Sequence, residues 1–184
     1  MKTNFETWKT IDVIPQDLNV LNKTFKTNNI KIGTYGDYLL FLCKGNDQPY
    51  DCHLRKTLLI ETPVEIQLIK VTVADLGFRD GAIYPDICDR AEALDLDYCP
   101  YEAGPQLRLQ YQDQPEGEKL HIPIKPTDGS LIFFYHYLVY NINNILYLGG
   151  SDDCGGRIFW HGNQQIFVFC KKINKQNKSA ESAL

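Results

Sequence analysis

Gln106-Leu107-Arg108-Leu109-Gln110-Tyr111-Gln112-Asp113-Gln114-Pro115-Glu116-Gly117-Glu118-Lys119-Leu120-His121-Ile122-Pro123-Ile124 alternates apolar and polar side chains on both sides of a Pro/Gly-bearing break. Successive side chains of a strand point to opposite faces, so this alternation predicts two half-buried strands joined by a turn. Pairing Asp113 with Glu118 leaves Gln114-Pro115-Glu116-Gly117 as the loop. Tyr111 then faces Leu120, Leu109 faces Ile122, Leu107 faces Ile124, and Gln110 faces His121. A slip of one residue would set apolar side chains against polar ones, so the pattern selects this register.

Downstream the same texture continues. Leu131–Tyr140, Ile145–Leu148, Arg157–Trp160 and Gln165–Cys170 read as strands. The links between them, Pro126-Thr127-Asp128-Gly129, Asn141-Ile142-Asn143-Asn144, Asp152-Asp153-Cys154-Gly155-Gly156 and His161-Gly162-Asn163, are rich in turn residues. Short links between sequential strands favour an antiparallel meander.

Upstream, Phe5–Val13 reads as a short strand. Pro15 suits the first turn of a helix that carries Leu18, Leu21 and Phe25 on one side and stops at Asn28-Asn29. Thr34–Cys43 fits a helix, and Lys44–Asp51 is a loop. Val64, Ile66 and Leu68 alternate in one phase and Ile69, Val71 and Val73 in the other, which predicts a strand with a bulge. A loop over Asp75–Gly81 leads to a helix from Pro85 to about Leu94, with Asp86 at its positive end and Ile87, Ala91 and Leu94 on its buried stripe. The expected fold is α+β, with N-terminal helices packed on a C-terminal antiparallel β-meander of about six strands. Residues 1–172 are expected to form a single α+β domain and 173–184 a disordered polar tail, because Ile173, Ala180, Ala183 and Leu184 are too little apolar content to offset ordering entropy.

Composition narrows the function. A net charge of −4 over 184 residues argues against binding a phosphate backbone. The basic cluster Lys171, Lys172, Lys175, Lys178 reads as a solvated terminus. No export signal opens the chain, and Leu131–Tyr140, the longest apolar run, is too short to span a bilayer. No membrane association is expected, and the cytoplasm is the expected location. Cys43, Cys52, Cys88, Cys99, Cys154 and Cys170 then read as free thiols. No Cys-x-x-Cys spacing is present, so no metal site is expected, although Cys52, His53, His121, His136 and His161 remain the ligand types available. Glycine-rich phosphate loops and the usual hydrolase motifs are lacking, and no cofactor is expected. Asp152-Asp153-Cys154-Gly155-Gly156 lacks the oxygen spacing and distal Glu of a calcium loop.

Cys99-Pro100-Tyr101-Glu102-Ala103-Gly104-Pro105-Gln106-Leu107-Arg108-Leu109-Gln110-Tyr111-Gln112-Asp113-Gln114-Pro115, with Leu76-Gly77-Phe78 and Gly81-Ala82, resembles a group of small uncharacterised bacterial proteins that carry a Leu-Arg-Leu-Gln-Tyr-x-Asp-Gln-Pro block. The likeness spans Val64–Ile124, with an echo at Trp8-Lys9-Thr10-Ile11. It implies a bacterial source and no particular activity. Two positions depart from it: Asp95 stands where similar sequences have Gly after the helix, and Ile124-Lys125 where they have Met before an acidic residue. The first departure puts the sharp helix stop in question, since Asp tolerates the left-handed conformation less readily than Gly.

In the strand reading, Gln106, Arg108, Gln110 and Gln112 share one face with His121. With Glu102 and Asp113 nearby, this is the candidate binding surface, suited to an unknown protein or a small carboxylate or amide ligand. Arginine's planar fork holds a carboxylate through two bonds. The same row also fits the solvated side of a half-buried sheet, with Arg108 paired to Glu102 or Asp113. The first functional expectation is therefore a bacterial cytoplasmic, non-enzymatic binding or adaptor domain. It would use this polar face around Arg108 or an exposed aromatic patch. The alternative is a hydrolase or transferase using Cys99 or Glu102 with His121 as base. Delivery into another cell as an effector is compatible with either.

Overall fold

The computed structural model describes residues 4–15, 17–42, 60–125, 133–154 and 158–172. The fold is α+β. Strand β1 (Lys9–Val13) is followed by helix α1 (Leu18–Thr27). The helix is capped by Asp17, whose carboxylate accepts from the Asn19 and Val20 amides at 2.7 and 3.3 Å. Pro15 therefore lies just ahead of the cap and not in the first turn. Leu21 and Phe25 are buried as their spacing requires, and Asn28 closes the helix with Asn29 at φ 54°. Strand β2 (Lys31–Ile32) and helix α2 (Thr34–Leu42) follow; the Lys44–Asp51 loop lies outside the described residues.

Strand β3 (Val64–Thr72) carries the phase change seen in the sequence, but without a bulge. Its register runs unbroken, Val64 to Leu68 against β1 and Leu68 to Thr72 against β10 (Ile166–Lys171). The phase changes because the buried face changes. Ile66 and Leu68 point into a first core with α1 and α2, whereas Ile69, Val71 and Val73 point into a second on the other side of the sheet. A strand whose covered face switches partway, with Glu65 and Gln67 exposed behind the first core, has no single apolar phase.

The second core is roofed by helix α3 (Tyr84–Ala93), entered from β4 (Ala82–Ile83) with Pro85 in its first turn, and buries Tyr84, Ile87, Cys88 and Ala91. The stop questioned at Asp95 is made by Asp95 itself, at φ 64°. Strand β5 (Leu96–Asp97) then pairs with the end of β10.

At the stretch that opened the sequence reading, the structure corrects it. Ala103–Gln110 is helix α4, not a strand, so the hairpin register Tyr111–Leu120, Leu109–Ile122, Leu107–Ile124 does not exist. Ala103, Leu107 and Tyr111, four apart as on one side of a helix, enter the first core; Gly104, Pro105, Gln106 and Arg108 are buried as well, while Leu109 is only half-buried. Pro105 sits in the first turn, where its missing N–H is no loss.

Strand β6 (Lys119–Pro123) pairs with β7 (Phe133–Ile142), and β7 with β8 (Ile145–Cys154), all antiparallel. Asn143 and Asn144, both near φ 55°, form the two-residue turn that matches strand twist. The meander stops there. Strand β9 (Phe159–Trp160) leaves to pair with β4 in a separate two-stranded ribbon. The last strand, β10, returns to the middle of the main sheet, antiparallel to β3 and parallel to β6. The strand order is β1-β3-β10-β6-β7-β8-β2, with β5 on β10, giving an eight-stranded mixed, curled sheet interleaved with helices and not a C-terminal meander. Phe167 and Phe169 of β10 face the second core and Val168 and Cys170 the first. A strand so apolar on both faces belongs in a sheet centre. No helix among the described residues is long and apolar enough to cross a membrane. The tail from 173 lies outside the described residues.

Candidate functional site

Arg108 is fully buried, in the last turn of α4. Its guanidinium donates to the side-chain oxygen of Gln114, to the Tyr111 carbonyl, and at 3.5 Å to the Tyr140 carbonyl on β7. Burial lowers its pKa to about 10. Gln114, also buried, passes the connection on, donating to the Val139 and Glu118 carbonyls at 3.0 and 3.3 Å. The Asn141 side-chain amide donates to the Gln114 carbonyl at 2.7 Å. Arg108 is thus neither on a sheet face nor paired with Glu102 or Asp113. It satisfies carbonyls at a helix end and ties the loop that follows to β7.

The other expected site residues do not form a surface with it. Gln106 is buried beside Arg108 on α4. Gln110 turns to the edge strand: its side-chain amide donates to the Asp12 carbonyl at 2.8 Å and accepts from the Asp12 N–H at 3.2 Å, capping an otherwise open backbone. Asp113 is exposed. Glu102 accepts from the Ile60 amide at 3.0 Å, and burial raises its pKa. His121 lies in the second core, ring centroids 5.3 Å from Phe167, 4.8 Å from Trp160 and 5.1 Å from His136. Burial, then His136 and Lys119, push its pKa well below the usual histidine range.

The catalytic pairing of Cys99 with His121 fails on geometry, because Cys99 belongs to the first core and His121 stacks in the second. Glu102 precedes Ala103 of the first core and is likewise on the far side of the sheet from His121. Among the described residues, no group of three or more His, Cys, Asp or Glu side chains could hold a metal.

A different surface carries chemistry. On β7 the odd positions Tyr137 and Val139 enter the first core, so alternation sends Leu138, Tyr140 and Ile142 to the opposite face, opposite Gly149, Tyr147 and Ile145 of β8. The second core covers the β3–β10 part of that face with α3, β4 and β9 and reaches β7 at His136, which stacks on Tyr84 and meets Trp160, but its apolar residues include none from β7, β8 or β2. There Tyr140 and Tyr147 stack with parallel rings, centroids 4.9 Å apart. A Cβ on Gly149 would come within 2.9 Å of the Tyr140 ring, so the glycine is what lets that ring lie across β8. Two exposed lysines flank the pair: Lys31, with its ammonium 5.9 Å from the Tyr147 ring centroid, and Lys119, opposite Tyr140 in register. Ile142 is exposed at the hairpin end. The result is a half-open apolar strip with positive charge on either side.

Sequence reasoning placed Tyr140 and Tyr147 on strands but did not single them out. The Asn143-Asn144 turn fixes the two strands in register and so was the signal that would have paired them. Lys31 reaches the strip only through the parallel pairing of β2 with β8, which no local pattern announces. Comparison with family models, with curated proteins and with solved structures gives no match.

Proposed function

We propose that the chain is a non-enzymatic binding module whose contact surface is the Tyr140–Tyr147 strip with Lys31 and Lys119, in place of the polar face around Arg108. The observation that carries the reading is the stacked tyrosine pair flanked by the exposed Lys31, its ammonium 5.9 Å from the Tyr147 ring centroid, and by the exposed Lys119 opposite Tyr140 in register. Tyrosine offers a rigid contact area at small entropic cost, and it is enriched where proteins meet. The fitting partner is a protein segment with an apolar or aromatic side chain to lie on the rings and carboxylates to meet the lysines. Catalysis is disfavoured because the thiol and imidazole that would share the work are buried on opposite faces of the sheet. Bacterial origin and a cytoplasmic location belong to the same proposal, the first on the resemblance and the second on the free thiols Cys88, Cys99 and Cys170, which suit a reducing compartment.

Selection from a random peptide library tests the reading. Bound peptides should be enriched in Asp or Glu next to Phe, Tyr, Trp or Leu, and Tyr147→Ala and Lys31→Glu should each abolish the enrichment. Enrichment indifferent to both changes places the contact elsewhere, and no enrichment at all rejects a peptide-binding role for the strip.

A further inference from the structure

Cys88, Cys99 and Cys170 are free thiols, all three buried, and two of them meet. Strand β5 runs antiparallel to the end of β10 with Asp97 opposite Cys170. Two residues past Asp97, the Cys99 thiol donates to the Val168 carbonyl of β10 at 3.8 Å. In the opposite direction the Cys170 thiol donates to the Tyr98 carbonyl at 3.2 Å. Each sulfur thus reaches across the same gap to backbone beside the other, and both belong to the first core. The neighbouring Cys170 thiol and burial together hold the Cys99 pKa well above the ordinary thiol value. Cys88 provides the contrast. It lies in the second core, on the other face of the sheet, hydrogen-bonded to the Tyr98 side chain, with its pKa pushed up to about 12, mainly by burial.

We propose that Cys99 and Cys170 are an oxidisable dithiol that closes to a disulfide by exchange with a small dialkyl disulfide, clamping the segment between β5 and α4 onto the central strand. One thiol gives up its proton and attacks a sulfur of the dialkyl disulfide, forming a mixed disulfide and releasing one alkanethiol. The second thiol, deprotonated in turn, attacks the protein sulfur of that mixed disulfide and expels the second alkanethiol. Two protein thiols are oxidised by two electrons and the reagent is reduced to two thiols. With both protein thiols protonated and enclosed, closure is slow and responds to sustained oxidising conditions and not to brief exposure. The loop closed, from 99 to 170, spans more than a third of the chain, so closing it restricts the unfolded ensemble strongly.

The full-length chain, incubated natively with 2-hydroxyethyl disulfide and digested without reduction, provides the test by mass spectrometry. The expected product is a peptide pair joined through Cys99 and Cys170, two hydrogen masses below the sum of its parts. It should come with a melting temperature at least about 4 °C above that of the reduced chain, reversed by dithiothreitol. Because the linkage is mapped in the native sequence, the result does not depend on any variant folding. A Cys170→Ser chain should show neither the linked pair nor the thermal gain. Hydroxyethyl adducts on Cys99 or Cys170 without linkage, linkage of either to another cysteine, or no reaction after prolonged exposure would each overturn the proposal.

Discussion

The Arg108 guanidinium donates to the side-chain oxygen of Gln114, six residues downstream, and both residues then reach β7 through the Tyr140 and Val139 carbonyls. The two ends of the Leu-Arg-Leu-Gln-Tyr-x-Asp-Gln-Pro block are therefore partners in one structural knot. Arg108→Ala should strand the Gln114 oxygen and two backbone carbonyls, at roughly 1–3 kcal/mol for each buried group left unpaired. A total loss above about 3 kcal/mol in urea unfolding is expected, with Arg108→Lys only partly restoring it because an ammonium lacks the planar fork. A loss below about 1 kcal/mol, the ordinary result for a surface residue, would contradict this placement.

Gly104 sits where a Cβ would lie 2.4 Å from the Tyr137 ring. Gly104→Ala must push α4 off β7, and about 1–3 kcal/mol of destabilisation is expected as in other overpacked cores. If the substitution instead stabilises, as a helical Gly→Ala does in open space, α4 does not pack this closely.

The architecture was legible where one face of an element is buried and the pattern has one period. Helices α1 and α3 followed from their stripes and from Asp86 and Pro85, and the β7–β8 hairpin from its asparagines. Leu107-Arg108-Leu109-Gln110-Tyr111 misled because buried Gln106 and Arg108 are polar and half-buried Leu109 is apolar, which imitates period two. Pro105 carried the corrective signal. Proline within the first turn had already marked α3, and Glu102-Ala103-Gly104-Pro105 repeats the arrangement. The placement of β10 between β3 and β6 was beyond local pattern, since long-range pairing leaves its mark only as a strand apolar on both sides. The candidate site fell with the strand assignment, because face-sharing in a strand becomes helix geometry once the period changes.

His121 gives the protein a pH dependence of definite sign. Its folded-state pKa lies below the unfolded value of about 6.5, through burial first and then His136 and Lys119. Below pH of about 6.5 the unfolded chain takes the proton more readily, so stability falls as pH drops through that value and levels off only below the folded pKa. The urea midpoint should decline from pH 7 to pH 5, and His121→Phe should flatten the decline. An unchanged slope in that variant would assign the effect to other groups.

Glu102 works in the opposite sense. Burial raises its folded pKa, so its contribution to stability is full below the unfolded carboxyl value and is lost as pH rises through the folded one. Glu102→Gln keeps an oxygen for the Ile60 amide while removing the charge. It should raise the unfolding midpoint at pH 7 and leave it unchanged near pH 4. A lower midpoint at pH 7 would mean that the carboxylate has a cationic partner.

The central claim is that the functional surface lies on the open strip of β7 and β8, with the Arg108 block as its scaffold. Fluorescence anisotropy with one library-selected acidic aromatic peptide measures this directly, comparing the native chain with Tyr147→Ala and with Arg108→Lys at a temperature where all three are folded. The account predicts that Tyr147→Ala weakens binding at least about tenfold, a loss of about 1.4 kcal/mol, while Arg108→Lys binds like the native chain. Binding lost in Arg108→Lys and retained in Tyr147→Ala would contradict it.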